Sequence, residues 1–319
     1  MTLESTIPVL EFPNECPARI NEHADAVCDE SLAWTQAHDL LNADKVEEFR
    51  RVKLGYIAAM TNPHLPRESL RLVTDWYFWL YAMDDGYIDL ARLGEPCAPI
   101  IQMCARLSRV AVDPEFPLDG AGRGASALRD LRLRIDEAAT TVQLKRWIDS
   151  VNAYLMGLSW EVANQETRQF PALEEYVAMR RPASGTWTAL LLMDIAAGYE
   201  LGVPQLADRR FRELVDMAVD LIGLDNDFYS YAKEQAETRA MHNIIRAIAD
   251  RERCTLDEAM LRYVEIHDDR TRRLLAIEEE IGGGLTDEGR RFVHGCKDWV
   301  RGNIEYSRSS ERFTAYQLQ

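Results

Sequence analysis

Several features that would assign this chain to a large class of proteins are scarce in it or missing. Its six cysteines (Cys16, Cys28, Cys97, Cys104, Cys254, Cys296) are scattered, with no C-x-x-C pair and no Cys/His spacing suited to zinc. That excludes a disulfide scaffold and a zinc finger, and reads as reduced, mostly buried thiols. The six histidines (His23, His38, His64, His242, His267, His294) show no H-x-x-x-H or H-E-x-x-H pairing and read as surface or packing residues. Basic residues are outnumbered, 37 Lys plus Arg against 53 Asp plus Glu, for a net charge of -16. This argues against nucleic acid and anionic membranes as partners, so any anionic ligand must meet local positive charge or a metal ion. No uncharged apolar run reaches the roughly 18 residues of a spanning helix. Residues 1–17 hold three acids and no Lys or Arg, the wrong charge for a signal or transit peptide, and a cytoplasmic location is expected.

Apolar side chains make up 47% of 319 residues, enough for a sizeable core. They recur at i, i+3, i+4 and i+7 almost everywhere after Ser31, and strand-like alternation is hard to find. The expected fold is all-α, with helices over 31–61, 67–93, 97–110, 125–139, 142–167, 172–198, 208–237, 255–281 and 286–307. Breaks fall at Asn62-Pro63, Gly94-Glu95-Pro96, 114–124, Gly202-Val203-Pro204 and the glycine triplet 282–284. Pro8, Pro13 and Pro17 mark residues 1–30 as an extended arm, and residues 31–319 read as a single helical domain. Two segments, Trp76 to Asp85 and Thr186 to Asp194, are apolar on most faces, as central helices are.

Asp84, Asp85 and Asp89 end a strongly apolar helix. Adjacent buried carboxylates repel each other and resist desolvation, so something cationic belongs beside them. Asp85 and Asp89 share a helix face with Asp84 at its edge, a geometry suited to oxygen-ligated Mg²⁺. A second polar stripe comes from Asn226, Ser230, Lys233 and Glu234, at i, i+4, i+7 and i+8. Its amide, hydroxyl and carboxylate oxygens can chelate a hard cation, and its ammonium can hold an anion bridged by that cation. The glycine-rich 120–125 segment follows a Pro-Glu-Phe-Pro stretch that cannot be a buried strand, and it reads as an interhelix loop.

Together the two motifs resemble those of bacterial class I terpene synthases, which carry an aspartate-rich motif and, some 140 residues later, N-D-x-x-S-x-x-K-E. Here Asp84 and Asn226 are 142 positions apart and the second motif is complete. The resemblance implies a single-domain class I terpenoid synthase helical bundle with a central active-site cavity. It implies metal ligation by Asp84, Asp85, Asp89, Asn226, Ser230 and Glu234, with three Mg²⁺ ions. It places a diphosphate-sensing arginine at Arg180, with linker and effector positions at Ala183 and Ser184, beside a break at Pro182 to Gly185. Lys233 and Arg312 would join Arg180 in binding diphosphate, and Tyr77, Phe78, Tyr81, Trp187 and Tyr306 would line an aromatic pocket able to stabilise a carbocation. Three positions depart from the family pattern: Ala183 has no polar side chain to relay a hydrogen bond, Tyr306 stands where a tryptophan is usual, and Phe313 stands where the closing Arg-Tyr pair usually has its tyrosine.

The implied activity is Mg²⁺-dependent ionisation of an acyclic prenyl diphosphate, farnesyl before geranylgeranyl, followed by cyclisation and release of diphosphate. Two alternatives stand beside it: chain elongation of the prenyl diphosphate synthase kind, and a non-catalytic helical binding protein. The D-x-D-D motif of protonation-initiated cyclases is absent. The expected partner is the prenyl diphosphate, without nucleic acid or stable membrane association, and a homodimer is left open.

Overall fold

The computed structural model describes residues 8–13, 15–88, 96–120, 122–237 and 242–316. Among these residues every regular element is helical. The helices are α1 (Ala24–Ala37), α2 (Ala43–Arg51), α3 (Gly55–Thr61), α4 (Arg67–Met83), α5 (Cys97–Val112), α6 (Gly124–Ala138), α7 (Thr141–Thr167), α8 (Leu173–Ala183) and α9 (Thr186–Ala196). They continue as α10 (Val203–Ala207), α11 (Arg209–Glu237), α12 (Ile244–Glu252), α13 (Leu256–Ile281), α14 (Asp287–Ser309) and α15 (Glu311–Thr314). A π-helical turn, Asp84–Ile88, extends α4.

Local chemistry sets most of the boundaries. Thr140 with Gln143 and Thr255 with Glu258 form reciprocal capping boxes that start α7 and α13. Asn42 accepts from the Lys45 amide and starts α2, so the expected 31–61 helix is three shorter ones. The chain leaves α1 and α2 through left-handed residues, Asp39 and Lys53, both at φ 51°. No proline follows Pro17 before α1, and the helix begins at Ala24, inside the segment expected to be an extended arm. In the rest of that segment Leu10 and Phe12 are buried, so the arm adds side chains to the core. The expected 172–198 helix is two: Pro182 is absorbed within α8, and the chain turns at Gly185, where φ is +70°. Helix α12 was not expected; Asn243 caps it.

One continuous set of buried apolar side chains runs through the described residues. As expected from their apolar character, α4 and α9 are central. Leu72 to Trp79 on α4 are all buried, and ten of the eleven α9 residues are. Helices α1, α3, α6 and α9 surround α4. Trp76 stacks on Trp79 at 5.0 Å, meets Trp147 edge-on at 5.0 Å and donates its indole N–H to Thr188 at 2.9 Å. Where α7 crosses α8 the backbones nearly touch, and a Cβ added to Gly157 would lie 2.7 Å from the Ala183 nitrogen.

Candidate active site

Helices α3, α4, α7, α8, α9, α11 and α14 enclose a small interior cavity. Its apolar wall includes Ile57, Tyr77, Leu80, Tyr81, Tyr154, Ala189, Ile222 and Trp299. Its polar lining includes Asp84 from the end of α4, Asn226 from α11, and Arg180 and Ser184 beside the break between α8 and α9. Residues separated by 142 positions in sequence thus face one space. At about 90 Å³ the cavity is smaller than the 300–1,000 Å³ common for ligand pockets, so its walls must move apart to admit a large substrate.

Local packing explains why the break sits where it does. Gly223 lets α11 approach it, since a Cβ there would lie 3.3 Å from that of Ser184. The Ser184 hydroxyl accepts from the Thr186 amide at 3.2 Å and donates to the Arg181 carbonyl at 3.2 Å, tying the turn to both helices. The neighbouring arginines face different ways. Arg180 pairs with Asp227 on α11 through Nε at 2.9 Å and a terminal nitrogen at 2.7 Å. Arg181 instead meets Asp216 and Asp220 and lines an outer groove.

Asp227 also accepts from the Tyr176 hydroxyl at 2.6 Å and the Ile244 amide at 3.2 Å. Burial, with Glu234 nearby, pushes its carboxyl up to about 6, against the opposing pull of Arg180. On the next turns of α11, the Ser230 hydroxyl donates to one Glu234 oxygen at 2.6 Å, and Asn243 donates to the other at 3.1 Å. Asn226, Ser230 and Glu234 therefore offer an amide, a hydroxyl and an oriented carboxylate from one helix, and of these Asn226 shares the cavity lining with Asp84. An all-oxygen donor set of this kind fits a hard divalent cation.

Asp85 is held by Arg312 in a fork, at 2.6 and 3.2 Å, and by Lys45 at 3.5 Å. Burial opposes its ionisation, but Arg312, Lys233 and Lys45 outweigh burial and hold the carboxyl well below the usual carboxylate range. The Arg312 guanidinium also lies 4.9 Å from the centre of the Tyr81 ring. Lys45 and Lys233 share a surface depression with Tyr316.

Some expected residues lie elsewhere. Trp187 faces away from the cavity into the outer groove between α7, α9 and α11, because it sits on the opposite side of α9 from Thr186 and Ala189. Tyr306 is buried outside the cavity: its hydroxyl donates to the Val52 carbonyl at 3.2 Å and its ring meets Phe313 edge-on. Phe78 packs on Phe49 instead of lining the cavity. Asp89 lies outside the described residues. The residues that sequence reasoning missed include Tyr154, Trp299 and Asn303 in the wall and Asp227, Tyr176, Asn243 and Lys45 around it. Asp227 stands inside the second motif and Asn243 precedes an apolar run, so both left a signal. Tyr154 and Lys45 left none.

An all-α bundle around an apolar cavity, with a carboxylate entering from the end of one helix and an amide from another, defines the terpenoid synthase class of fold. Residues 75–273 match the family described as terpene synthase family 2, C-terminal metal binding, and the chain belongs to that family. It is a terpene synthase. A farnesyl-diphosphate-cyclising 4-epi-cubebol synthase of Streptosporangium roseum is 30% identical to it over 95% of this chain and 91% of the relative. Bonnadiene synthase of Allokutzneria albata is 28% identical over 97% and 88%. Among solved structures, the linalool/nerolidol synthase of Streptomyces clavuligerus superposes with a TM-score of 0.82, covering 93% of this chain and all of that one at 20% identity. An α-eudesmol synthase gives 0.84 over 95% and 99%, also at 20% identity. No helix among the described residues is long and apolar enough to cross a membrane.

Proposed function

We propose that this chain ionises farnesyl diphosphate with the help of Mg²⁺, three ions by the family resemblance, and cyclises the resulting allylic cation. The observation that carries the reading is that Asp84, Asn226 and Arg180 line one apolar cavity. Asp84, Asp85, Asn226, Ser230 and Glu234 would hold the cations, together with Asp89 by its place in the motif. When bound, the cations neutralise the diphosphate and stabilise the charge that builds on it as the allylic C–O bond breaks. Arg180, Lys233 and Arg312 bind the same oxygens, the two arginines through planar forks matched to paired phosphate oxygens. Arg312 and Arg180 are engaged with Asp85 and Asp227 in this structure, so binding requires an exchange of partners. Tyr77, Tyr81, Tyr154 and Trp299 would then surround the hydrocarbon cation with aromatic carbon and exclude water, which lets ring closure precede loss of a proton. The reading includes one catalytic domain, its start moved from residue 31 to Ala24 because α1 crosses the expected boundary, and a cytoplasmic enzyme.

The test is incubation with Mg²⁺ and, separately, geranyl, farnesyl and geranylgeranyl diphosphate, with volatile products identified by mass spectrometry. Farnesyl diphosphate should give cyclic C15 products and inorganic diphosphate. Consumption only when isopentenyl diphosphate is added would instead identify chain elongation, and no turnover of any substrate would favour a binding protein.

A further inference from the structure

At the far end of α4 from its aspartates, three side chains from two separate segments converge. His64 lies in the turn between α3 and α4, and His294 and Asp298 stand one turn apart on α14. Their potential ligand atoms all lie within 4.8 Å of one another. Asp298 Oδ2 is 3.6 Å from His294 Nε2 and 4.0 Å from His64 Nε2, and the two imidazoles are nearly parallel, 6.4 Å apart at 21°. Ligand bonds of 2.0–2.2 Å around a tetrahedral ion set neighbouring donors about 3.4 Å apart, so the distances of 3.6 and 4.0 Å to Asp298 must shorten by about half an ångström at most. The separation of the two imidazole donors, up to 4.8 Å, must shorten by at most about 1.4 Å, which the half-exposed rings can supply by rotating. Both histidines are about half exposed while the Asp298 side chain is largely buried, which gives an ion an open approach to a fixed carboxylate. The spacing along α4, about 1.5 Å for each of its 17 residues, separates this cluster from Asp84 by roughly 25 Å.

We propose that His64, His294 and Asp298 form a second metal site, selective for Zn²⁺ or a similar borderline divalent ion, with a water in its fourth position. Two imidazole nitrogens and one carboxylate suit Zn²⁺, Co²⁺ or Ni²⁺ and are poor partners for Mg²⁺, whereas the cavity offers only oxygen donors. The two sites therefore sort ions by chemistry. Occupancy would clamp the turn before α4 to α14, joining residues 230 positions apart. Both clamped elements lead to the active site: α4 ends at Asp84, and Trp299, next to Asp298, lines the cavity wall. One competitor is visible. The Arg19 guanidinium donates to His64 Nε2 at 3.0 Å, using the lone pair that an ion needs. Arg19 is exposed, and an arriving ion displaces it into solvent.

The experiment is calorimetric titration of the full chain with Zn²⁺ in excess Mg²⁺, with thermal melting and the visible absorption of a Co²⁺-loaded sample alongside. One equivalent of Zn²⁺ should bind, raise the melting temperature and, as Co²⁺, give a tetrahedral spectrum. His294→Ala and His64→Ala should each weaken binding by about tenfold or more, the lower end expected for disturbing a metal site. Arg19→Gln should tighten binding, and Glu234→Gln should leave it unchanged. Absence of Zn²⁺ binding in the wild type overturns the proposal. So does binding that survives both histidine substitutions, or binding lost in Glu234→Gln, which would locate the ion at the catalytic centre.

Discussion

At the scale of single residues, the sharpest contrast is between Arg180 and Arg181. They are adjacent in sequence, yet Arg180 enters the cavity wall while Arg181 pairs with Asp216 and Asp220 at the outer groove. Arg180→Lys keeps the charge but loses the fork, and turnover should fall about a hundredfold, as when one transition-state donor is removed. Arg181→Lys should stay near wild-type rate; steady-state kinetics of the pair would reveal a register error if the effects were reversed. Glu234→Gln should abolish turnover with the helical circular dichroism unchanged, and retained activity would remove that residue from the metal set. The polar motifs were readable because an amide, a hydroxyl and a carboxylate at i, i+4 and i+8 have little reason to share an apolar helix face. The aromatic wall was not. Trp187 and Trp299 are chemically alike, and only the rotation of α9 and α14 about their axes decides that Trp299 faces the cavity and Trp187 the outer groove. Phe313 is similarly instructive. It is buried against Tyr306, Ser309 and Ser310 are bonded to nearby backbone, and Tyr316 lines the same surface depression as Lys45 and Lys233.

At the scale of elements, hydrophobic periodicity located the long helices α5, α7, α11, α13 and α14 but ran across short interruptions. The turns at Asp39 and Lys53 use left-handed backbone at residues that are neither glycine nor proline, and the marks beside them, the capping Asn42 and Gly55, are weak against the continuous apolar pattern of 31–61. Pro182 misled in the opposite sense: α8 continues through it to Ala183, and the break waits for Gly185. That junction is held by close backbone contact, which makes it sensitive to single atoms. Gly157→Ala would put a methyl group 2.7 Å from the Ala183 backbone, and overpacking of this kind costs about 1–3 kcal/mol. Because the displaced segment carries Arg180 and Ser184, the variant should lose activity at temperatures where it is still folded. Paired melting and rate measurements would show the two effects, and a stable, fully active variant would contradict the rigid-junction account.

At the scale of the whole molecule, a chain of net charge -16 keeps several charges inside and pairs each with care. His267 is fully buried, its ring bonded to Asp225 at 2.8 Å and to the Glu11 carbonyl at 2.9 Å, so it ties α13 to α11 and to the N-terminal arm. Burial alone would lower its pKa, but Asp225 outweighs burial and raises it to about 9. A raised histidine stabilises the fold fully below its unfolded value of about 6.5, and that contribution disappears as pH climbs through the folded value, an effect of roughly 3 kcal/mol. Urea denaturation of the wild type should therefore show stability falling between about pH 6.5 and pH 9, with the slope largely gone in His267→Gln. An unchanged slope in the variant would assign the dependence to other groups. The buried pair of Arg312 and Asp85 has a consequence of another kind under the proposed function. Asp85 is wanted by the cations and Arg312 by the diphosphate, so either ligand arriving alone leaves one member of the pair without its principal partner, a loss that Lys45 and Lys233 soften on the Asp85 side. Joint arrival strands neither. The two ligands must then bind with positive cooperativity, and thermodynamic reciprocity requires that the factor by which Mg²⁺ tightens diphosphate equal the factor by which diphosphate tightens Mg²⁺. This one buried pair thus makes the site favour both ligands together over either alone.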